Sequence, residues 1–132
     1  MRSAGTACAS VARRETIKYL FILNDLPYGT ERNYNALRLA RSLAGKEASE
    51  ARMFLLGDAA ASAHGGQKVP QGYYNVADML SSFIHHQGTV SVCETCIDAR
   101  GITEDVLIQS ATRGTMDQLA EWTTWADKVL VF

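Results

Sequence analysis

Cys93 and Cys96 are the side chains of this chain best suited to covalent chemistry, and they lie three positions apart in the segment Val92-Cys93-Glu94-Thr95-Cys96. A thiolate is a strong nucleophile, and cysteines three apart in a turn are close enough to form a disulfide. Cys93 follows a run of small and β-branched residues, so we place it at the end of a strand. Unpaired backbone N–H groups at such a point lower the pKa of a thiol from about 8.5. We therefore interpret Cys93 as a candidate nucleophile and Cys96 as its resolving partner, with a buried small hydrophobe and an inert neighbour as the alternatives.

Other uses of a cysteine pair fit this sequence less well. A structural zinc site needs about four ligands. Besides the pair, the chain offers only the remote Cys8 and three histidines. A thioredoxin-type motif usually follows an early strand and opens a long helix, whereas this pair lies late in the chain. We expect neither a metal nor a cofactor, and a thiol–disulfide redox protein stays open as an alternative.

Three loops are expected to meet beside Cys93. In an open parallel sheet, ligands collect outside the carboxyl ends of the strands, because loops and helix N-termini converge there. The loops at residues 24–30, 58–64 and 93–97 each follow a predicted strand. The candidate pocket or anion-binding residues are Asn24, Tyr28, Gly29, Asp58, His64 and Arg100.

Two of these candidates suggest specific roles. Arg100 could hold a thiolate or an anionic sulfur adduct, or it could be an ordinary surface arginine at a turn. His64 could act as a general acid or base, or it could simply be solvated in its loop. His85 and His86 fall in the last turn of a predicted helix, where such side chains suit the helix dipole, so we give them no catalytic role.

The first half of the chain alternates strands with a helix. Residues 17–23 are apolar and aromatic-rich and end in turn residues, which is typical of a buried strand. From Glu31 onward, apolar positions three and four apart predict an amphipathic helix, with Thr30 as its cap and Gly45 at its end. Residues 52–56 form the next short apolar run. This order implies a parallel pair of strands with a right-handed crossover.

The second half repeats the alternation. An irregular Gly- and Pro-containing loop at residues 65–72 precedes a helix that Asn75 caps and Gly88 ends, and the strand at residues 89–92 leads to Cys93. The remaining predicted elements are a turn at residues 97–101, a short helix at 103–108, a brief strand near Ala111, a helix opened by the capping pair Thr115 and Gln118, and a strand at 128–132. Strands of this apolar character indicate an α/β protein whose parallel sheet is covered by helices on both faces.

Size and composition narrow the class of protein. A chain of 132 residues with 47% hydrophobic residues matches one domain, which we place at residues 17–132, and we expect residues 1–16 to be a flexible N-terminal extension or a targeting remnant. Thirteen basic against fourteen acidic residues give no field that favours nucleic acid. Three cysteines are too few for a disulfide scaffold, so we expect a cytoplasmic location. No run approaches the roughly 20 apolar residues of a membrane span, so we expect no membrane insertion.

Several ordered blocks of this sequence resemble the DsrE/DsrF-like sulfur-relay family, and most closely its YchN-like branch. The resemblance runs from about Ile17 to Phe132. Its blocks are Pro27-Tyr28-Gly29, Leu37-Arg38-Leu39-Ala40, Gly57-Asp58-Ala59, Gly66-Gln67-Lys68, Gly72-Tyr73, Cys93-Glu94-Thr95-Cys96, Ala99-Arg100-Gly101-Ile102 and Ala126-Asp127-Lys128-Val129-Leu130.

The resemblance implies a three-layer α/β/α sandwich with a mostly parallel sheet of about five strands, in a trimer-based homo-oligomer that is a hexamer in the YchN-like branch. It also implies that Cys93 accepts and passes sulfane sulfur as a persulfide between a protein donor and a protein acceptor. The carrier cysteine of the better-understood relatives lies in a different sequence setting, so fold transfers more safely than activity. A non-catalytic oligomeric binding module for a small anion or nucleotide stays open beside this interpretation.

Overall fold

A computed structural model of the protein describes residues 15–132, and these residues form a five-stranded sheet with helices against it. The strands are β1 Ile17–Leu23, β2 Ser49–Leu55, β3 Thr89–Cys93, β4 Ala111–Gly114 and β5 Lys128–Val131. The helices are α1 Arg32–Ala44, α2 Val76–His85, α3 Glu94–Ala99 and α4 Met116–Trp125, with 3-10 helices at Gly57–Ala63 and Glu104–Val106. Cys8 and residues 1–14 of the predicted extension lie outside the described part of the chain.

The sheet has the strand order β4-β3-β2-β1-β5, and all four pairings are parallel. From β1 to β4 the chain steps one strand at a time in one direction, and α4 then carries it back past β1 to β5. Because such crossovers are right-handed, a reversal of direction moves the helix to the other face of the sheet. The predicted α/β sandwich with a parallel five-stranded sheet is therefore confirmed.

Two apolar cores follow from this arrangement. The larger one joins the inward side chains of α1 and α2 to one face of the sheet, including Phe21 and Met53. The smaller one packs α4 on the opposite face through Leu119 and Trp122. Neighbouring residues of one strand alternate between the two, as β geometry requires, so Phe21 belongs to the first core and Leu20 to the second.

The contact of α4 with the sheet is tight at the end of β4. Gly114 lies opposite Cys93 in the parallel register. A Cβ atom at Gly114 would overlap Ser91 Oγ and Gln118 Oε1 and would lie 2.9 Å from the Phe54 ring. This glycine is therefore required by the close approach of helix and sheet beside Cys93.

Most predicted elements are present, and the first strand has the predicted bounds. The predicted cap of the first helix, Thr30, is wrong by one position, because Glu31 is the N-cap residue. The Thr30 hydroxyl instead donates to the Asp25 carboxylate. The capping pair of the last helix forms only half. The Thr115 side chain accepts from the Gln118 N–H, while the Gln118 side chain accepts from buried Ser91.

The predicted turn after the cysteines is also wrong in part, because α3 begins at Glu94 and runs through Cys96 to Ala99. A helix this short has too few turns to produce an apolar period in the sequence. In the part of the chain that the structure describes, no helix is long and apolar enough to cross a membrane.

Candidate functional site

Cys93 lies where β3 ends and α3 begins, at the carboxyl edge of the sheet. Its side chain is 7% exposed and packs in the smaller core with Leu20, Phe54 and Trp122. Cys96 is partly buried and packs against both cores. The strand end thus fixes Cys93 in the smaller core, with Cys96 one helical turn further on.

The two cysteines are paired as a disulfide, with their Cα atoms 5.2 Å apart. The backbone N–H of Cys96 donates to Cys93 Sγ at 3.3 Å, and the Thr95 hydroxyl lies 3.3 Å from the same sulfur. The backbone N–H of Gly57 donates to Cys96 Sγ at 3.2 Å. Two groups that can donate a hydrogen bond lie against Cys93 Sγ and one lies against Cys96 Sγ, and donors placed in this way stabilise a thiolate relative to a thiol.

Gly57 comes from the loop after β2, so the site joins two neighbouring strand ends. Its backbone has φ of +54°, a conformation that glycine adopts without strain and most residues avoid. This turn aims the Gly57 N–H at Cys96. Sequence reasoning missed Gly57 and Thr95 as site residues, although Gly57 begins one of the blocks that carry the family resemblance.

Arg100 and Asp58 contact each other, but neither is hydrogen-bonded to a sulfur. The Arg100 guanidinium bonds to the Asp58 carboxylate at 2.8 Å and to the Cys96 carbonyl oxygen at 3.0 Å. The pair therefore ties the end of α3 to the loop after β2, and the Asp58 charge balances that of Arg100. In this structure Arg100 positions Cys96 through its backbone.

A second ion pair holds α3 from the other side. Arg113, on β4, makes a bidentate bond with the Asp98 carboxylate at 3.1 and 3.2 Å and lies 3.8 Å from the Glu94 carboxylate. The hydrogen bond from Arg113 holds the pKa of Asp98 below its ordinary value of 3.8. It likewise raises the pKa of Arg113. Arg113 was not predicted, because only the register of β3 with β4 brings it beside the cysteines.

The other predicted residues do not join the cysteines. The Asn24 side chain donates to the Phe132 carbonyl at 3.3 Å and fastens the end of β1 to the chain after β5. His64 is exposed, and its Nδ1 lies 2.6 Å from the Gly65 carbonyl oxygen. Tyr28 and Gly29 line a separate surface pocket whose walls include neither cysteine. The single predicted crevice is therefore divided into a cysteine site and a tyrosine-lined pocket.

Within residues 15–132, no group of three or more His, Cys, Asp or Glu side chains is placed to hold a metal ion. His85 and His86 lie at the end of α2, where His86 Nδ1 is 2.7 Å from the Ser82 carbonyl oxygen.

Comparison with known proteins identifies the class to which this fold and this site belong. A sequence model of the DsrE/DsrF-like family matches residues 17–132. The chain therefore belongs to the DsrE/DsrF-like family.

Individual relatives support the same branch. The protein YchN of Escherichia coli strain K12 is 41% identical over 116 residues, which is 87% of this chain and 98% of YchN. An uncharacterised protein of Methanocaldococcus jannaschii, MJ0989, is 35% identical over 88% of this chain and all of that protein. The resemblance to the YchN-like branch is confirmed.

Solved structures agree with the fold. The crystal structure of the E. coli ychN protein superposes with a TM-score of 0.83 and covers 89% of this chain and all of that chain. A protein of unknown function from Methanobacterium thermoautotrophicum, MTH1491, superposes with a TM-score of 0.72 over 88% of this chain and 99% of that chain at 11% identity, and it supports the fold alone.

Proposed function

We propose that this protein handles sulfane sulfur, with Cys93 accepting it as a persulfide and passing it on. Membership of the DsrE/DsrF-like family supports a role related to sulfur relay. The observation that carries the proposal is the placement of Cys93 at a strand end, with the Cys96 N–H 3.3 Å from its sulfur and the Thr95 hydroxyl at the same distance. Both groups can donate to a thiolate and, after transfer, to a persulfide anion.

The loading step needs no cofactor. The Cys93 thiolate attacks the outer sulfur of a donor persulfide, R–S–SH, and forms a new S–S bond to it. The donor S–S bond breaks, the donor leaves as the thiolate R–S⁻, and Cys93 now carries –S–SH. An acceptor thiolate that attacks the outer sulfur in the same way removes it and restores the Cys93 thiolate.

Cys96 offers a second way out for the sulfur. Its thiolate attacks Cys93 Sγ, the bond to the outer sulfur breaks, and HS⁻ leaves. The product is the Cys93–Cys96 disulfide, the pairing present in the structure. Two electrons from an external dithiol then return both cysteines to the reduced form. We assign Arg100 and Asp58 to positioning Cys96 for this step, since Arg100 bonds to the Cys96 carbonyl oxygen.

A thiol–disulfide redox protein is the second candidate, and the Cys93–Cys96 disulfide favours it. In that case the pair exchanges electrons with a partner dithiol and no sulfur atom moves. Cys96, the less buried residue of the pair, is then the one that we expect a partner thiolate to attack first.

We also propose that residues 17–132 act as one domain, in a cytoplasmic homo-oligomer. Edge strand β5 leaves Val129 42% and Val131 65% exposed, and Met116 on α4 is 64% exposed. Apolar side chains of this kind, on the face that α4 covers only in part, suit burial by another subunit.

Sulfide release separates the two candidates. Reduced protein is mixed with glutathione persulfide, and released sulfide and free thiols are measured over time. We expect wild type to release one sulfide per disulfide formed, Cys96→Ser to retain its sulfur until an acceptor thiol is added, and Cys93→Ser to do neither. Efficient disulfide exchange with a dithiol, together with no sulfur uptake by either variant, would select the redox function instead.

A further inference from the structure

A surface pocket of about 370 Å³ lies beside the loops that follow β1 and β2, apart from the cysteine site. Its walls include three tyrosines, Pro70 and Lys68. Ligand pockets of small molecules begin at about 300 Å³, so this volume suits one ring system with a substituent and is small for a dinucleotide. We propose that the pocket binds a small aromatic anion, independently of the chemistry at Cys93.

The floor of the pocket is fixed before any ligand arrives. The Tyr28 hydroxyl donates to Gln67 Oε1 and accepts from the Val76 N–H at 3.0 Å. The Tyr74 ring lies 4.3 Å from the Tyr34 ring and 5.9 Å from the Tyr28 ring, measured between centroids. Because these rings are already held, binding does not have to order them.

The loop that forms the wall is equally well held, although its sequence is irregular. Gln67 Nε2 donates to the carbonyl oxygens of Ser62 at 3.0 Å and His64 at 2.9 Å. The Asn75 side chain donates to the Gln67 carbonyl oxygen at 3.0 Å. A surface loop with this many internal bonds presents its remaining side chains in fixed positions.

Two of the side chains that line the pocket, Tyr73 and Lys68, are exposed. Tyr73 is 71% exposed, and a turn closed by its N–H to the Pro70 carbonyl oxygen, with Gly72 at φ of +89°, holds it there. Lys68 is exposed and makes no ion pair with any residue of the described part. None of the pocket walls is acidic. The aromatic ring of a ligand can stack on Tyr73 while a negative charge on the same ligand lies close to the Lys68 ammonium group.

The test uses two fluorescent probes of similar ring structure, the anionic anilinonaphthalene sulfonate and the neutral phenylnaphthylamine, titrated into the full-length protein. We expect one saturable site for the anionic probe. Lys68→Met should weaken the anionic probe about fivefold and leave the neutral one unchanged. Tyr73→Ala should weaken both, and Tyr73→Phe should bind as wild type does.

Control variants distinguish binding in this pocket from nonspecific binding to apolar surface and from binding at the cysteines. Leu39→Ala removes another exposed apolar side chain and should change neither titration, and Cys93→Ser should bind both probes normally. Binding that does not saturate, or that ignores both Lys68 and Tyr73, would overturn the proposal. The proposal would also be overturned if the wild type binds neither probe and Tyr73→Ala lowers the mass of the oligomer, since the pocket would then be a subunit contact.

Discussion

The Thr95 hydroxyl gives the sharpest test of how the site activates Cys93. It lies 3.3 Å from Cys93 Sγ and is exposed at the start of α3, so Thr95→Val removes a donor without opening the core. A thiolate has no proton, so the hydroxyl must be the donor when Cys93 is ionised. A hydrogen bond to a charged group is worth about 1.5 kcal/mol, which corresponds to about tenfold in the thiolate population at a pH below the thiol pKa of both proteins.

The expected rate change is smaller than tenfold. A thiolate that is less stabilised is also more nucleophilic, with a Brønsted coefficient of about 0.4–0.5, so each remaining thiolate reacts about threefold faster. Thr95→Val should therefore react about threefold more slowly at a pH below both thiol pKa values and about threefold faster at a pH where every thiol is ionised. The crossing of the two pH profiles is the specific expectation.

The assay is exchange of Cys93 with an aromatic disulfide that releases a coloured thiolate, followed from acidic to alkaline pH. Cys96→Ser is the background, because it leaves Cys93 without its partner and retains the backbone N–H at position 96. Thr95→Ser is the matched control and should follow the unsubstituted profile, since it retains the hydroxyl. Superimposable profiles for Thr95→Val and Thr95→Ser would refute the role of this hydroxyl.

Three further predictions concern residues that hold the helices and strands in place. Gly114→Ala should lower the free energy of unfolding by about 1–3 kcal/mol in urea titrations because its Cβ has no room, whereas exposed Thr112→Ala on the same strand should change it by less than about 0.5 kcal/mol. The folded-state pKa of Asp98 is depressed, so its bond to Arg113 stabilises the protein above the ordinary value of 3.8, and this contribution disappears as pH falls through the folded pKa. Thermal melts of Asp98→Asn should therefore lose less stability than wild type on acidification below about pH 4, and an equal loss would contradict the ion pair. Asn75→Ala should cost about 1 kcal/mol in urea titrations, since its side chain caps α2, and no loss would mean that the cap is dispensable.

The order of elements could be predicted from sequence because most strands contain a short apolar run bounded by turn residues, although β2 begins three residues before the predicted Arg52 because its first residues are polar. Ile17–Leu23 shows this best, since its bounds were predicted correctly. The position of Cys93 followed from the same pattern, because the carboxyl end of a strand is a local property of the sequence. The short helix α3 could not be predicted from the sequence, since six residues give less than two turns of periodicity.

The partners of the cysteines could not be predicted in the same way. The Gly57 N–H reaches Cys96 across 39 positions of sequence, and Arg113 reaches Asp98 only because β4 pairs with β3. Tyr28 was expected beside Cys93 because both follow strands of one sheet. Its hydroxyl instead bonds to Gln67 and Val76, and these bonds hold Tyr28 in the separate pocket.

The most direct test of sulfur handling at Cys93 is intact mass spectrometry of the Cys96→Ser variant after incubation with glutathione persulfide. Cys96→Ser cannot release sulfide by forming the internal disulfide, so a loaded sulfur should persist. We expect a gain of one sulfur atom, located on Cys93 by fragmentation and removed by an acceptor thiol. Cys93→Ser, treated alike, should gain none. A Cys96→Ser protein of unchanged mass, or an equal gain by Cys93→Ser, would contradict the assignment of Cys93 as the sulfur carrier.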